Sequence, residues 1–157
     1  MARLIELSRS ALLPHPVSDV YDLVSDIRRY PAFVPGIRSV QVLSERIASD
    51  DLTTMDVLIS MGRAGLGMAF TTANKLKRNH RIEMRLREPG PLEDLDGSWE
   101  FEDIGGQGCR IVMVMKFRVG NPLLRASLEP ALSHLSNRVV SVFAGQAARD
   151  LSSGRVR

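Results

Sequence analysis

Residues 109–143 read CRIVMVMKFRVGNPLLRASLEPALSHLSNRVVSVF, and the period of the apolar residues changes within this stretch. Up to Val119 it alternates, with Ile111, Met113, Met115, Phe117 and Val119 on one face of a strand. Asn121 is then a good N-cap and Pro122 a good first helical residue, since proline's missing N–H would have had no helical partner there. After them Leu124, Leu128, Leu132, Leu135, Val139, Val142 and Phe143 trace one face of a long helix. A strand that runs directly into a long C-terminal helix suggests a sheet wrapped around that helix, if the rest of the chain is mostly strand.

Pro130 lies inside this helix, where it removes a backbone bond and displaces a turn at about 3 kcal/mol if the helix stays straight. A kink or restart is expected between Ser127 and Pro130, either a plain break between two packed helices or a hinge that opens a cavity.

Upstream, strands do dominate. Leu4 to Leu12 alternate weakly before Pro14-His15-Pro16 stops the strand and presets a helix. Val17, Val20, Tyr21 and Val24, broadened by Leu23 and Ile27, give one or two short helices over about residues 16–30, ended by Tyr30-Pro31 and Val34-Pro35-Gly36. Strands are predicted at about 37–48 and 52–61, the second with Met55, Val57, Ile59 and Met61 on its apolar face. Gly62, Gly65 and Gly67 lead into another strand and not into a helix N-terminus, so they read as a hairpin and not as a phosphate loop. Met68, Phe70, Thr72, Asn74 and Leu76 share a phase of that strand, and Ile82, Met84 and Leu86 share a phase of the next, across a turn at Asn79-His80. A strand from about Leu95 to Ile104, with Leu95, Trp99 and Phe101 in phase, turns at Gly105-Gly106-Gln107-Gly108 into the last one. The expectation is an α+β helix-grip arrangement: a curved antiparallel sheet of about six or seven strands around the C-terminal helix. It forms one domain over residues 1–150, with a disordered tail over 151–157.

The composition permits this and excludes other classes. No run approaches the roughly 18 apolar residues of a membrane span, and Arg3, Glu6 and Arg9 interrupt any N-terminal signal segment, so a cytoplasmic protein is expected. Cys109 is the sole cysteine and reads as a buried small hydrophobe. His15, His80 and His134 stand too far apart for a metal-ligand spacing, and no nucleophile and base are paired in the sequence. A net charge of +3 permits contact with anionic lipid or RNA without requiring either.

Three local sequences carry a family likeness: Tyr21-Asp22-Leu23-Val24 followed by Tyr30-Pro31-Ala32-Phe33-Val34-Pro35; Phe70-Thr71-Thr72-Ala73-Asn74-Lys75-Leu76; and residues 90–101, GPLEDLDGSWEF. Together, over roughly residues 3–150, they resemble the coenzyme Q-binding/ribosome-association toxin family of START-like proteins. The resemblance implies a non-enzymatic binder of a hydrophobic small molecule, with ubiquinone the leading ligand, no required cofactor and peripheral contact with the inner membrane. The alternative within the same resemblance, placed second, is binding of the large ribosomal subunit to hinder subunit joining. An aromatase/cyclase activity, drawing on Thr72, Asn74 and Asp56, is the least favoured reading. The chain departs from the family pattern at Gly36 and Ile37, where tryptophan and cysteine are frequent, and at Leu92, where phenylalanine is. Loss of aromatics near a cavity mouth would alter ligand shape selection.

A lipid or quinone site needs an apolar lining, because the tail binds by burial at about 25 cal/mol per Å², with only a hydrogen bond or two for the head. Candidates are Phe33, Val57, Ile59, Phe70, Met84, Trp99, Met113 and Met115 on the sheet side, with Leu128 and Leu132 from the helix. Thr72 and Asn74 stand in an apolar phase, where an unpartnered polar group costs about 1–3 kcal/mol. They meet either other protein groups or a ligand head. Lys75, Lys77, Arg81, Arg85 and Arg87 fall on the outward phase, a surface for lipid or ribosomal RNA phosphates or simply a solvated face, diluted by Glu83 and Glu88. No aromatics interleave them for base stacking, and DNA is not an expected partner.

Overall fold

The computed structural model describes residues 2–63 and 66–151. Seven strands form one antiparallel sheet in the order β1-β7-β6-β5-β4-β3-β2. They are β1 (Ile5–Leu13), β2 (Ile37–Ile47), β3 (Leu52–Arg63), β4 (Leu66–Lys77), β5 (Arg81–Leu86), β6 (Asp94–Ile104) and β7 (Gly108–Arg118). Between β1 and β2 come α1 (Val17–Ser25), a 3-10 turn (Ile27–Arg29) and the single-turn α2 (Tyr30–Phe33). The chain closes with α3 (Pro122–Leu151), and residues 152–157, where a disordered tail was expected, lie outside the described residues.

From β2 to β7 every sequential neighbour is a hairpin partner, and β1 is then paired with β7 from Ile5↔Phe117 to Leu13↔Cys109. This register puts the apolar phases of the strands on one face. Met55, Ile59, Phe70, Leu76, Ile82, Trp99, Ile111, Met113 and Phe117 are all buried there, whereas Lys75, Arg85, Glu100 and Arg110 in the alternate phase are exposed. Asn79, with φ 64°, makes the β4–β5 turn, and Gly105 and Gly106, with φ 68° and 83°, make the β6–β7 turn, positions that disfavour residues with a larger side chain. Gly62 and Gly67 face each other near the end of the β3–β4 hairpin, in agreement with the hairpin reading, and Gly65 falls outside the described residues.

The α3 helix begins as its sequence demands, with the Asn121 side-chain oxygen accepting from the Leu123 N–H at 2.9 Å. The restart expected near Pro130 does not occur, for α3 is one helix of 30 residues with Pro130 inside it. Pro130 and Ala126, whose carbonyl loses its helical donor, are both exposed, so water is available to that carbonyl and the cost of the missing bond is reduced. The helix packs against β1 and α1. Arg9 reaches Asn137 from β1, and Arg29 pairs with Asp150 at 3.3 Å near the helix end.

Candidate functional site

Between α3 and the apolar face of the sheet lies a cavity of about 100 Å³. The sheet wall includes Ile59, Phe70, Asn74, Met84, Trp99 and Met115, and the helix supplies Leu132, Leu135, Ser136, Val139 and Phe143. Tyr30 and Val34 close one side. Met61, Leu132 and Leu135 also border a second, mostly apolar space of about 550 Å³ that runs beneath the start of α3, between Leu124, Leu128 and Pro130 on the helix and Pro35, Gly36, Met68 and Pro91 opposite. The inner cavity is smaller than the roughly 300–1,000 Å³ of ordinary small-molecule pockets, whereas the groove falls in that range.

Phe143 is the hub of the closed end. Its ring meets Tyr30 and Trp99 edge-on at 5.3 Å and Phe33 at 5.5 Å, an arrangement that aligns ring edges with ring faces. The Tyr30 hydroxyl donates to the Val24 carbonyl, and burial pushes its pKa well up, so it stays neutral. Gly97 leaves the space that Met84 and Met115 fill. A Cβ there would stand 3.1 Å from Met115 Sδ and from Met84 Cε.

The polar pair in the apolar phase of β4 resolves asymmetrically. Thr72 is wholly buried and donates its hydroxyl proton to Asn74 Oδ1 at 2.7 Å, but it does not reach the cavity. Asn74, 6% exposed, does.

Of the other residues singled out in the sequence, Val57 and Met113 are fully buried within the core and lie off the cavity wall. Phe33 is half-buried in the aromatic cluster, with the Arg29 guanidinium over its ring, so it acts as a buttress to Phe143 and not as lining. Leu128 borders the outer groove only. Asp56 does not project inward. It faces Ser44 and Ala73 in the outward phase and sits 3.9 Å from Arg87. Leu92 is a fully buried core residue and not part of a mouth, whereas Gly36 does border the groove and Ile37 lines the cavity. Sequence reasoning missed Tyr30, Ser136 and Phe143 as lining. Phe143 was visible in the helical stripe, but Ser136 is polar and carries no periodic signal.

The outward cations are more neutralised than their own hairpin reveals. Arg81 is held by Glu83 at 2.8 Å and by Glu100, Arg85 lies 3.9 Å from Asp96, and Arg87 is near Asp56. The Arg81 hydrogen bond holds the Glu83 carboxyl below its usual range. Among the described residues Lys75, Lys77 and, on β2, Arg46 make no ion pair within 4 Å, and Arg46 and Lys75 flank one shallow depression of the outer face. The Cys109 thiol is buried, which raises its pKa. Among the described residues no three His, Cys, Asp or Glu side chains lie close enough together to hold a metal, and no helix is long and apolar enough to cross a membrane.

Residues 13–144 match the family model for polyketide cyclase / dehydrase and lipid transport proteins. The chain belongs to that family. Within the polyketide cyclase / dehydrase and lipid transport family it is similar to the ribosome association toxin RatA of Pseudomonas aeruginosa, 38% identical over 141 residues, covering 90% of this chain and 94% of that one. It is also similar to RatA of Escherichia coli, at 30% identity over 90% of this chain and 86% of the other. The likeness read from the three motifs is therefore shown on its ribosome-association side. Among solved structures, the Zhui aromatase/cyclase of a Streptomyces species superposes with a TM-score of 0.80 at 17% identity, over 98% of this chain and 100% of the other. An 18 kDa protein of Caulobacter crescentus gives 0.73 at 24% identity over 92% and 97%. These establish the START-like, helix-grip fold of a curved sheet around a long helix.

Proposed function

We propose that this protein associates with the large ribosomal subunit and hinders subunit joining. The reading rests on its 38% identity to a ribosome association toxin across 94% of that protein's length. Its outer sheet face supplies a means of contact: Lys75, Lys77 and Arg46 are cations without a protein counter-charge within 4 Å among the described residues, available to displace counterions from RNA phosphates. The paired Arg81, Arg85 and Arg87 contribute less, because each would first have to leave a carboxylate. The test is co-sedimentation of the purified protein with ribosomal subunits through sucrose gradients. The protein is expected to travel with the large subunit and to reduce the joined-ribosome peak, and Lys75→Glu with Lys77→Glu and Arg46→Glu should weaken this and flatten its salt dependence. Absence of co-sedimentation at low salt would overturn the reading.

A second reading follows from the enclosed apolar space: the chain binds a neutral hydrophobic small molecule, ubiquinone or a similar lipid, without turning it over. Among the described residues the cavity wall holds no carboxylate, histidine or lysine to act as acid or base, and Tyr30 is tied to the Val24 carbonyl. Peripheral contact with a membrane, where such a ligand would be collected, belongs to this reading. Native mass spectrometry followed by organic extraction is expected to release a stoichiometric quinone or prenyl lipid, and a clean apo mass from quinone-replete cells would count against it.

A further inference from the structure

The inner cavity and the outer groove adjoin at Met61, Leu132 and Leu135; the groove has Ser127, His134 and Arg138 on its wall, and the cavity has Asn74 among mostly apolar side chains. Asn74 is 94% buried by its 6% exposure, and its amide faces a cavity otherwise walled by apolar side chains. Thr72 is fully buried and has no acceptor other than Asn74 Oδ1 among the described residues, so its hydroxyl proton fixes that oxygen toward Thr72. The Asn74 NH2 group is thereby left toward the cavity, with no acceptor among the described residues, although it is not cut off from the cavity space. The Ser136 hydroxyl, on the opposite wall, likewise has no partner among the described residues. An amide donor presented to a mostly apolar cavity gains a hydrogen bond from an incoming acceptor.

We propose that the inner cavity takes the neutral, carbonyl-bearing head of an amphiphile, with the carbonyl oxygen accepting from Asn74 Nδ2, and that its apolar tail lies in the outer groove beneath the start of α3. This rests on the second functional reading, ligand binding, and adds to it the head chemistry and the direction of entry. The head is neutral because no cationic side chain among the described residues lines the cavity, so a carboxylate there would be desolvated without compensation. It is compact because the inner space is about 100 Å³, and the tail is placed outward because the larger space of about 550 Å³ adjoins the cavity at Met61, Leu132 and Leu135, which border both. An apolar groove occupied by a tail removes exposed hydrocarbon from water along the whole of its length.

The experiment compares decyl-benzoquinone with decylbenzene, which shares its tail and ring but lacks both carbonyls, by calorimetric titration of the full chain. The quinone is expected to bind about tenfold more tightly to the wild type, the effect of one well-placed hydrogen bond, and Asn74→Leu is expected to erase that preference while retaining decylbenzene binding. Equal affinity of the wild type for both compounds would overturn the head placement while leaving hydrophobic binding standing; no binding of either would overturn both. Because Asn74→Leu disturbs a buried pair, orientation is also read on the wild type, from a nitroxide at the tail end of a decyl methyl ketone. Broadening of the Met68 and Ser127 amide signals is expected, and broadening centred on Trp99 and Asn74 would overturn the proposed direction.

Discussion

The two parts of α3 are one helix in backbone but two in packing. Among residues 122–131 no side chain is buried, and Leu124 and Leu128 only half cover the groove beneath them. From Leu132 to Ala147, Leu132, Ser136, Val139, Val140, Phe143 and Ala147 are buried, and Phe143 alone meets three aromatic rings. Helical stability in a protein comes mostly from tertiary packing of one face, so the second part is held by the core and the first by its N-cap, its covalent continuity and the largely buried Glu129 carboxylate, which lies 3.6 Å from Arg3 and 4.0 Å from Arg125. The smaller cavity and the larger groove correspond to these two parts. The packed part grips, and the loosely seated part is the one able to move aside for a ligand.

The largest test of this contrast is a pair of truncations. Phe143→Ala should lower unfolding stability by about 3–5 kcal/mol in urea titrations, because it removes a fully buried ring and leaves a void among Tyr30, Phe33 and Trp99. Leu128→Ala should cost less than about 1 kcal/mol, since a half-buried leucine over open space leaves no new enclosed cavity. Comparable costs would mean that the start of α3 is as firmly seated as its end.

Pro130 sharpens the same contrast with an opposite sign. Pro130→Ala restores an N–H to the Ala126 carbonyl, and at an exposed site should stabilise the protein by about 1–3 kcal/mol. If the first part of α3 opens by itself, amide exchange should slow most over residues 122–131 and little beyond Phe143. Uniform slowing along the helix would show that the two parts open together, and would remove the case for a hinge at Pro130.

Most of this architecture was legible because it rests on period. Alternation in β3, β4 and β7, the turn residues Asn79 and Gly105-Gly106, and the Asn121-Pro122 start of α3 are local signals, and the structure agrees with them. What was not legible depends on partners distant in sequence. A kink or restart between Ser127 and Pro130 was the local expectation, and only the restart is overturned by the continuous helix; whether the freed carbonyl meets water or core is set by how α3 docks. Which inward residues touch the cavity could not be read from phase, since Val57 and Met113 share the inward phase of Ile59 and Met115 yet pack off the wall. The outward cations looked freer than they are for the same reason: Asp56, Asp96 and Glu100 reach them from β3 and β6.

The smallest expected effect on stability separates cavity from core most cleanly. Gly97 sits in β6 opposite Met84 and Met115, and its missing side chain is what lets both thioethers lie against the sheet while still lining the cavity. The atoms nearest to a Cβ at Gly97 would be the far ends of these two flexible side chains, at 3.1–3.2 Å. Gly97→Ala should therefore change unfolding stability by less than about 1 kcal/mol, as the methionines rotate away and the strand gains from the loss of glycine's freedom in the unfolded chain. Both thioethers border the cavity of about 100 Å³, and their displacement into it should abolish decyl-benzoquinone binding while leaving co-sedimentation with the ribosomal subunit unchanged. If the substitution instead weakens both, cavity and outer face are coupled through the sheet, and the small molecule would regulate the ribosome contact.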